Sequence, residues 1–97
     1  MEERSWNIKE DFPWYRVCWR PCTGDWRTDY YGERTKAFRD KEEAINFAIE
    51  RKGVTREVEE ITGWEEFDSG WANWILTKIA IWKIIKKNGK RVIARTK

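Results

Sequence analysis

The alternation of apolar and polar residues predicts a β-hairpin in the first half of the chain. Residues 1–13 form a polar lead-in that ends at Pro13. Between Trp14 and Arg20 every second side chain shares a face, as in a strand, and a second strand is predicted over about 26–38. Residues 21–25 contain turn signals, so the two strands form a hairpin over 14–38. The face predicted to be apolar carries Tyr15, Val17 and Trp19.

A helix is predicted over residues 40–52. Asp40 can cap it, and Glu43 stands three residues later, which is the spacing of a capping box. Acidic residues fill the first turn, Arg51 and Lys52 are expected in the last turn, and Gly53 is expected at the first position beyond the end. The apolar stripe of this helix comprises Ala44, Ile45, Phe47, Ala48 and Ile49.

The segment 54–68 fits either a helix or a strand. Its apolar residues recur at helical spacing, whereas Gly63 and the β-branched residues favour a strand. We predict a strand at about 55–62.

The C-terminal part of the chain predicts a hairpin over 72–96, with strands at about 72–87 and 90–96. Asn88-Gly89 is a strong signal for a two-residue turn. Counting outward from that turn predicts four cross-strand pairs, and in the last of them a guanidinium lies over an indole. The pairs are Lys87 with Lys90, Ile85 with Val92, Ile84 with Ile93, and Trp82 with Arg95. A helix over 71–86 is the alternative, because the apolar residues there also fit a helical stripe.

Together these elements predict a single domain, 1–97, with an α+β fold: an antiparallel β-sheet of about five strands packed on one α-helix, in the order β-β-α-β-β-β. The 72–87 strand is apolar on both faces. Strict alternation places Trp74, Leu76, Ala80, Trp82 and Ile84 on one face, and Trp71, Ile75, Ile79, Ile81 and Ile85 on the other. Since one helix covers one face, we expect the other face to be covered by a curled sheet, by the lead-in, by the 54–68 segment or by a partner.

Tryptophan is unusually abundant, with 8 residues in a chain of 97. Tryptophan and arginine dominate the energetics of protein interfaces, so indoles left facing outward predict a docking surface. We therefore expect a non-enzymatic binding protein whose first-choice partner is a protein or nucleoprotein, such as the small inhibitors and adaptors that phages and mobile elements encode. The predicted partner-binding residues are Trp14, Arg16, Arg20, Trp26, Arg27, Trp71, Trp74 and Trp82.

Charge is unevenly distributed along the chain, although the net charge is only +3. The segment from Lys78 to Lys97 holds 8 basic residues and no acid, and the segment from Glu57 to Asp68 holds 6 acids and no base. The two segments attracting each other is one explanation, and solvated strand edges, on which lysine discourages aggregation, are the more common one. The alternative function is nucleic-acid binding by the C-terminal hairpin, and a homodimer sealed by the second sheet face is a further alternative. The predicted nucleic-acid-binding residues are Lys83, Lys86, Lys87, Lys90, Arg91 and Arg95.

The residue types of common active sites are scarce. The chain has no histidine, and its two serines stand outside any nucleophile motif. Cys18 and Cys22 supply at most half of a tetrahedral sulfur site. We expect no enzymatic activity, no cofactor and no metal. The two cysteines are expected to be semi-buried thiols, with a redox-sensitive clip as the alternative. With no segment typical of a signal peptide or a membrane span, a cytoplasmic protein is expected.

Residues 14–50 resemble the small β-sheet-plus-helix DNA-binding domain at the start of some phage integrases. The similar residues are Tyr15-Arg16-Val17, Thr35-Lys36-Ala37-Phe38 and Lys41-Glu42-Glu43-Ala44, followed by Phe47. The resemblance implies DNA binding by that part of the chain. The hairpin predicted over 72–96 has no counterpart in that domain.

Overall fold

This computed structural model describes residues 6–20 and 34–97, and these residues form one antiparallel sheet and one helix. The elements are β1 (Trp14–Arg20), β2 (Arg34–Phe38), α1 (Lys41–Glu50), β3 (Thr55–Glu66), β4 (Ala72–Lys87) and β5 (Lys90–Arg95). The predicted α+β fold and its order β-β-α-β-β-β are confirmed. The segment that fitted either a helix or a strand is a strand, and it extends four residues beyond the predicted end.

The strand order in the sheet is β2-β1-β3-β4-β5, and all neighbouring strands are antiparallel. Because β1 lies between β2 and β3, the connection through α1 crosses over β1 and lays the helix on one face of the sheet. The first hairpin pairs Tyr15 with Phe38 and Trp19 with Arg34, as expected for its antiparallel strands. Its predicted turn at 21–25 and the first part of its second strand, 26–33, lie outside the described residues.

The helix begins where the sequence predicts and ends earlier. The Asp40 carboxylate accepts a hydrogen bond of 3.2 Å from the backbone N–H of Glu43, which confirms the cap. Arg51 is already the C-cap, and its N–H donates to the Ala48 carbonyl. Arg51 and Lys52 therefore follow the last turn and do not fill it, and Gly53, at a φ of +82°, lies one position later than predicted. The prediction is wrong here because the chain already leaves helical geometry at Arg51.

The core under the helix is built from two small helical residues and the apolar residues of three strands. Ala44 and Ala48 are fully buried, and without long side chains they let the helix approach the sheet closely. Ile49 is exposed, so it does not belong to the predicted stripe. The buried strand residues of this core are Tyr15, Val17, Val58, Ala80 and Trp82.

The C-terminal hairpin matches its prediction in every pair. Lys87 lies opposite Lys90, and the three pairs counted outward from that turn are also present. Asn88 and Gly89 have φ values of +53° and +77°, as the two central residues of a type I′ turn require. The guanidinium carbon of Arg95 lies 5.0 Å from the centre of the Trp82 ring. The alternative helix over 71–86 is excluded, since this segment lies in β4.

A register shift in β4 changes which residues share a face. Val58 lies opposite Ala80, whereas Glu59 lies opposite Lys78, so Ile79 is an extra residue on β4. The predicted strict alternation along β4 is therefore wrong. Trp74 and Leu76 lie on the face opposite to Ala80, Trp82 and Ile84. Ile79 packs partly against the helix-side core instead of joining Ile81 on the other face.

The second face of the sheet is covered by the lead-in at one end. Trp14, only 3% exposed, contacts Trp6 at 5.7 Å and Trp74 at 5.1 Å between ring centres. The Trp14 indole N–H donates to the Ile8 carbonyl at 2.9 Å. Trp64 extends the cluster, with its ring centre 4.4 Å from that of Trp74. The chain thus forms a second, aromatic core where the sequence analysis left several alternatives open.

Replacing Asp40 by alanine removes the helix cap. We expect Asp40→Ala to lower the free energy of unfolding by about 1 kcal/mol, because the N–H of Glu43 loses its acceptor. Urea denaturation followed by circular dichroism measures the change. The control is Glu42→Ala, which removes an exposed first-turn acid that does not cap and is expected to cost less than about 0.5 kcal/mol. Equal losses for the two variants would contradict the capping role.

Candidate functional site

Most indoles are packed inside the protein. Trp14 and Trp82 are buried, and Trp6, Trp19, Trp64 and Trp74 are half-buried. Among the described tryptophans only Trp71 is exposed, at 72%. The expected docking surface of adjacent, outward-facing indoles is therefore not found in the described part of the sheet, and Trp26 lies outside it.

Alternating tryptophan and arginine side chains form a row across the helix side of the sheet. The register places Trp19 opposite Arg56, Arg56 opposite Trp82, and Trp82 opposite Arg95. The guanidinium carbon of Arg56 lies 4.6 Å from the Trp82 ring centre, so two guanidinium groups lie over one indole. Only the last pair of this row could be predicted from the sequence, by counting from the turn at Asn88-Gly89. The other two pairs depend on the long-range pairing of β1 with β3 and of β3 with β4, for which the sequence carries no local signal.

Arg56 is a buried cation without a carboxylate partner in the described chain. The residue is only 8% exposed, and its Nη1 donates to the Val54 carbonyl at 2.9 Å. Burial lowers the pKa of Arg56. The Trp82 ring compensates part of this desolvation. Arg56 and Trp82 thus stabilise the sheet and leave little of either side chain for a partner, whereas Arg95 is exposed.

Arg16 is held in an ion pair on the second face of the sheet. Its Nε lies 2.7 Å from Oε1 of Glu59, and the Cys18 thiol donates to the same oxygen at 3.6 Å. Burial acts to lower the pKa of Arg16, but the hydrogen bond and charge of Glu59 outweigh it, and the pKa lies above its ordinary value. Lys78 pairs with Glu57 at 3.2 Å beside them. Part of the acidic run is thus neutralised by neighbouring strands.

The same cluster offers three donor atoms of metal-ligating types. Those of Cys18, Glu57 and Glu59 lie within 4.8 Å of one another, beside an open cleft of about 450 Å³. Each carboxylate already has a cation, Arg16 for Glu59 and Lys78 for Glu57. The ion pairs therefore explain why these three side chains lie together, without a metal ion. Cys22 lies outside the described residues, so the predicted clip between the two thiols stays a prediction.

The end of the C-terminal hairpin is a two-stranded ribbon, which we name the basic ribbon and define as residues 83–95. Beyond Trp82, β4 pairs only with β5, so this part of the hairpin extends past β3. All six predicted nucleic-acid-binding residues lie in it and are exposed. Within the ranges that the structure describes, none of the six forms an ion pair with a carboxylate.

Cations lie on both faces of the basic ribbon. The pairing of Lys87 with Lys90 places these two and Lys83 on one face, and the pairing of Lys86 with Arg91 places these two and Arg95 on the other. The ribbon therefore presents positive charge to either side, with the turn Asn88-Gly89 at its end. This is the one predicted set of site residues that the structure brings together.

The opposite end of the sheet is acidic and apolar. We name it the acidic tip and define it as residues 63–75, where β3 and β4 continue beyond the last pair of β1, Trp14 with Ile61. Its exposed apolar side chains are those of Phe67, Trp71 and Ile75. Its exposed acids are Glu65, Glu66 and Asp68, which form no ion pair with any described residue. The acidic run is evident in the sequence, whereas its combination with these apolar residues was not predicted.

The predicted partner-binding residues are scattered over these regions. Trp14 and Trp82 belong to two different cores, Arg16 is paired, and Trp74 is half-buried in the aromatic cluster. Arg20 is exposed at the end of β1, and Trp71 lies in the acidic tip at the other end of the sheet. Trp26 and Arg27 lie outside the described residues.

Comparisons with known proteins add no functional information. No protein family, curated protein or solved structure matches the chain, so the resemblance to phage integrase domains has no support beyond its residues. In the described ranges, no helix has the length and apolar character needed to cross a membrane.

Two tryptophan variants distinguish core from surface. We expect Trp14→Ala to lower the free energy of unfolding by about 3–5 kcal/mol, because it empties the centre of the second core. The matched change Trp71→Ala is expected to alter it by less than about 0.5 kcal/mol, since this indole is exposed. Urea denaturation of both variants measures the difference. Similar values for the two would show that the second core does not exist.

Proposed function

We propose that the protein binds nucleic acid and that the basic ribbon contacts the phosphate backbone. The observation that carries the proposal is the projecting pair of strands with six exposed cations and no acid between Lys78 and Lys97. Lysine and arginine bind phosphates by displacing condensed counterions, which gives affinity without sequence preference. The paired acids of the protein lie elsewhere, so the cations of the ribbon are available.

The shape and residue types of the ribbon favour duplex nucleic acid over single strands. A two-stranded β-ribbon fits the major groove of B-form DNA, and strands are an established way to enter a groove. Proteins that bind single strands stack bases on exposed aromatic rings. Residues 83–95 contain no aromatic residue, and Trp82 at their base is buried. A cytoplasmic location is part of this proposal, because a nucleic-acid partner is accessible there.

A protein partner is the second candidate, and one observation favours it. Trp71 is the most exposed indole of the described chain, and Phe67 and Ile75 are exposed in the same tip. Exposed aromatic residues of this kind anchor protein interfaces. The first-choice expectation from the sequence, an inhibitor or adaptor, would therefore act through the acidic tip and not through the sheet face.

Removing two charges from the ribbon tests the nucleic-acid proposal. We expect Lys86→Gln with Lys87→Gln to weaken binding to a random-sequence DNA duplex and to reduce the slope of log K against log salt by about 1.8, since two phosphate contacts are lost. Fluorescence anisotropy over a range of salt concentrations measures both quantities. The matched control is Lys41→Gln with Lys52→Gln, which removes the same charge outside the ribbon and leaves the slope unchanged.

Two results would contradict the proposal. One is that the unaltered protein fails to bind the duplex even at low salt. The other is that the control variant loses as much affinity as the ribbon variant, which would show that only the net charge matters. A single-stranded oligonucleotide of the same length is expected to bind more weakly than the duplex.

A further inference from the structure

We propose that the acidic tip of one copy of the protein binds the basic ribbon of a second copy, head to tail. The inference goes beyond the proposed function, because it concerns a protein contact and does not depend on nucleic-acid binding. It rests on two observations, the placement of opposite charges at the two ends of the sheet and the placement of the exposed apolar side chains.

The two charged ends cannot neutralise each other within one copy. β4 connects them, beginning at Ala72 in the acidic tip and ending at Lys87 in the basic ribbon, over 16 residues. An extended strand of this length spans most of the longest dimension of the protein, which is 46 Å. The two runs meet only where they begin, because Lys78, the first residue of the basic run, pairs with Glu57, the first residue of the acidic run. The acids of the tip and the cations of the ribbon thus remain available to another copy.

Apolar residues accompany the charges at both ends. Of the large apolar side chains that are exposed in the described residues, Ile49 alone lies away from the two ends. The tip carries Phe67, Trp71 and Ile75, and the ribbon carries Ile84 and Val92. Exposed ion pairs contribute little by themselves, so a stable contact also needs apolar burial. Each end supplies both components, and their charges are opposite.

A second copy is the occupant that these features specify. The tip is complementary to a surface with exposed cations and small apolar side chains, and every copy of the chain carries such a surface. The contact is heterologous, so each copy that joins leaves one tip and one ribbon unoccupied, and assemblies grow with concentration or close into a ring. The acids of the tip and a phosphate backbone also compete for the same cations.

Complementary variants test this contact by sedimentation velocity at low salt. The tip variant carries Glu65→Gln, Glu66→Gln and Asp68→Asn, and the ribbon variant carries Lys86→Gln and Lys87→Gln. We expect the unaltered protein to form assemblies that grow with concentration and dissociate as salt rises. Each variant alone is expected to be a monomer. Their equimolar mixture is expected to form a 1:1 complex that grows no further, because it contains one intact tip and one intact ribbon.

Two further variants separate charge from apolar contact. Trp71→Ala is expected to weaken the association by about tenfold or more, as for an indole buried in an interface. Lys41→Gln with Lys52→Gln is expected to associate like the unaltered protein, since these lysines lie outside both ends.

The proposal is overturned if the unaltered protein remains a monomer at every concentration, if the tip variant still associates, or if the mixed variants do not form a complex. Its failure is distinguishable from failure of the nucleic-acid proposal. A tip variant that is monomeric and still binds the duplex supports both proposals. An unaltered protein that associates but binds no duplex supports the head-to-tail contact alone.

Discussion

The structure depends on one constraint: the sheet has apolar residues on both faces, and the described residues supply a single helix to cover them. The helix covers β1 and its two neighbours, and the alanines Ala44 and Ala48 let it approach closely. The other face is covered at one end by the lead-in, which packs Trp6 and the Ile8 carbonyl against Trp14. The extra residue Ile79 in β4 makes both kinds of cover possible along one strand, because it places Trp82 on the helix side and Trp74 on the lead-in side.

Beyond this cover the sheet continues at one end as the acidic tip and at the other as the basic ribbon, and both of these ends are rich in charged residues. The tip beyond Ile61 and the ribbon beyond Trp82 are each two strands wide, and Trp64 and Trp74 at the base of the tip are half-buried because Trp74 packs against Trp14. Charged side chains keep such projecting strands in solution and discourage unspecific pairing. One end is acidic and the other basic, so each end attracts binding partners of the opposite charge. The proposed binding surfaces therefore lie at the ends of the sheet, while every described tryptophan except Trp71 is at least half-buried and stabilises the fold.

Local signals predicted the fold well, and non-local pairing limited the prediction of the site. Asn88-Gly89 fixed the whole β4–β5 register by counting, and Asp40 marked the helix start, because both depend on neighbouring residues alone. The faces of β4 were assigned wrongly because the bulge at Ile79 is set by pairing with β3. The burial of Trp14 could not be predicted because it depends on the lead-in, whose sequence is mainly polar. The cations of the basic ribbon were correctly grouped, but their projection beyond the core depends on where β3 begins.

The central claim is that the helix covers one face of the sheet and the lead-in covers one end of the other face, and the accessibility of individual indoles tests it most directly. In ¹⁵N-labelled protein, the indole N–H signals can be followed as a soluble gadolinium chelate is added, and the signal lost in Trp71→Ala identifies Trp71. The structure predicts strong broadening of the Trp71 signal and persistence of the Trp14 and Trp82 signals. Broadening of Trp14 to the same extent as Trp71 would show that the second face is open to solvent and would contradict the account.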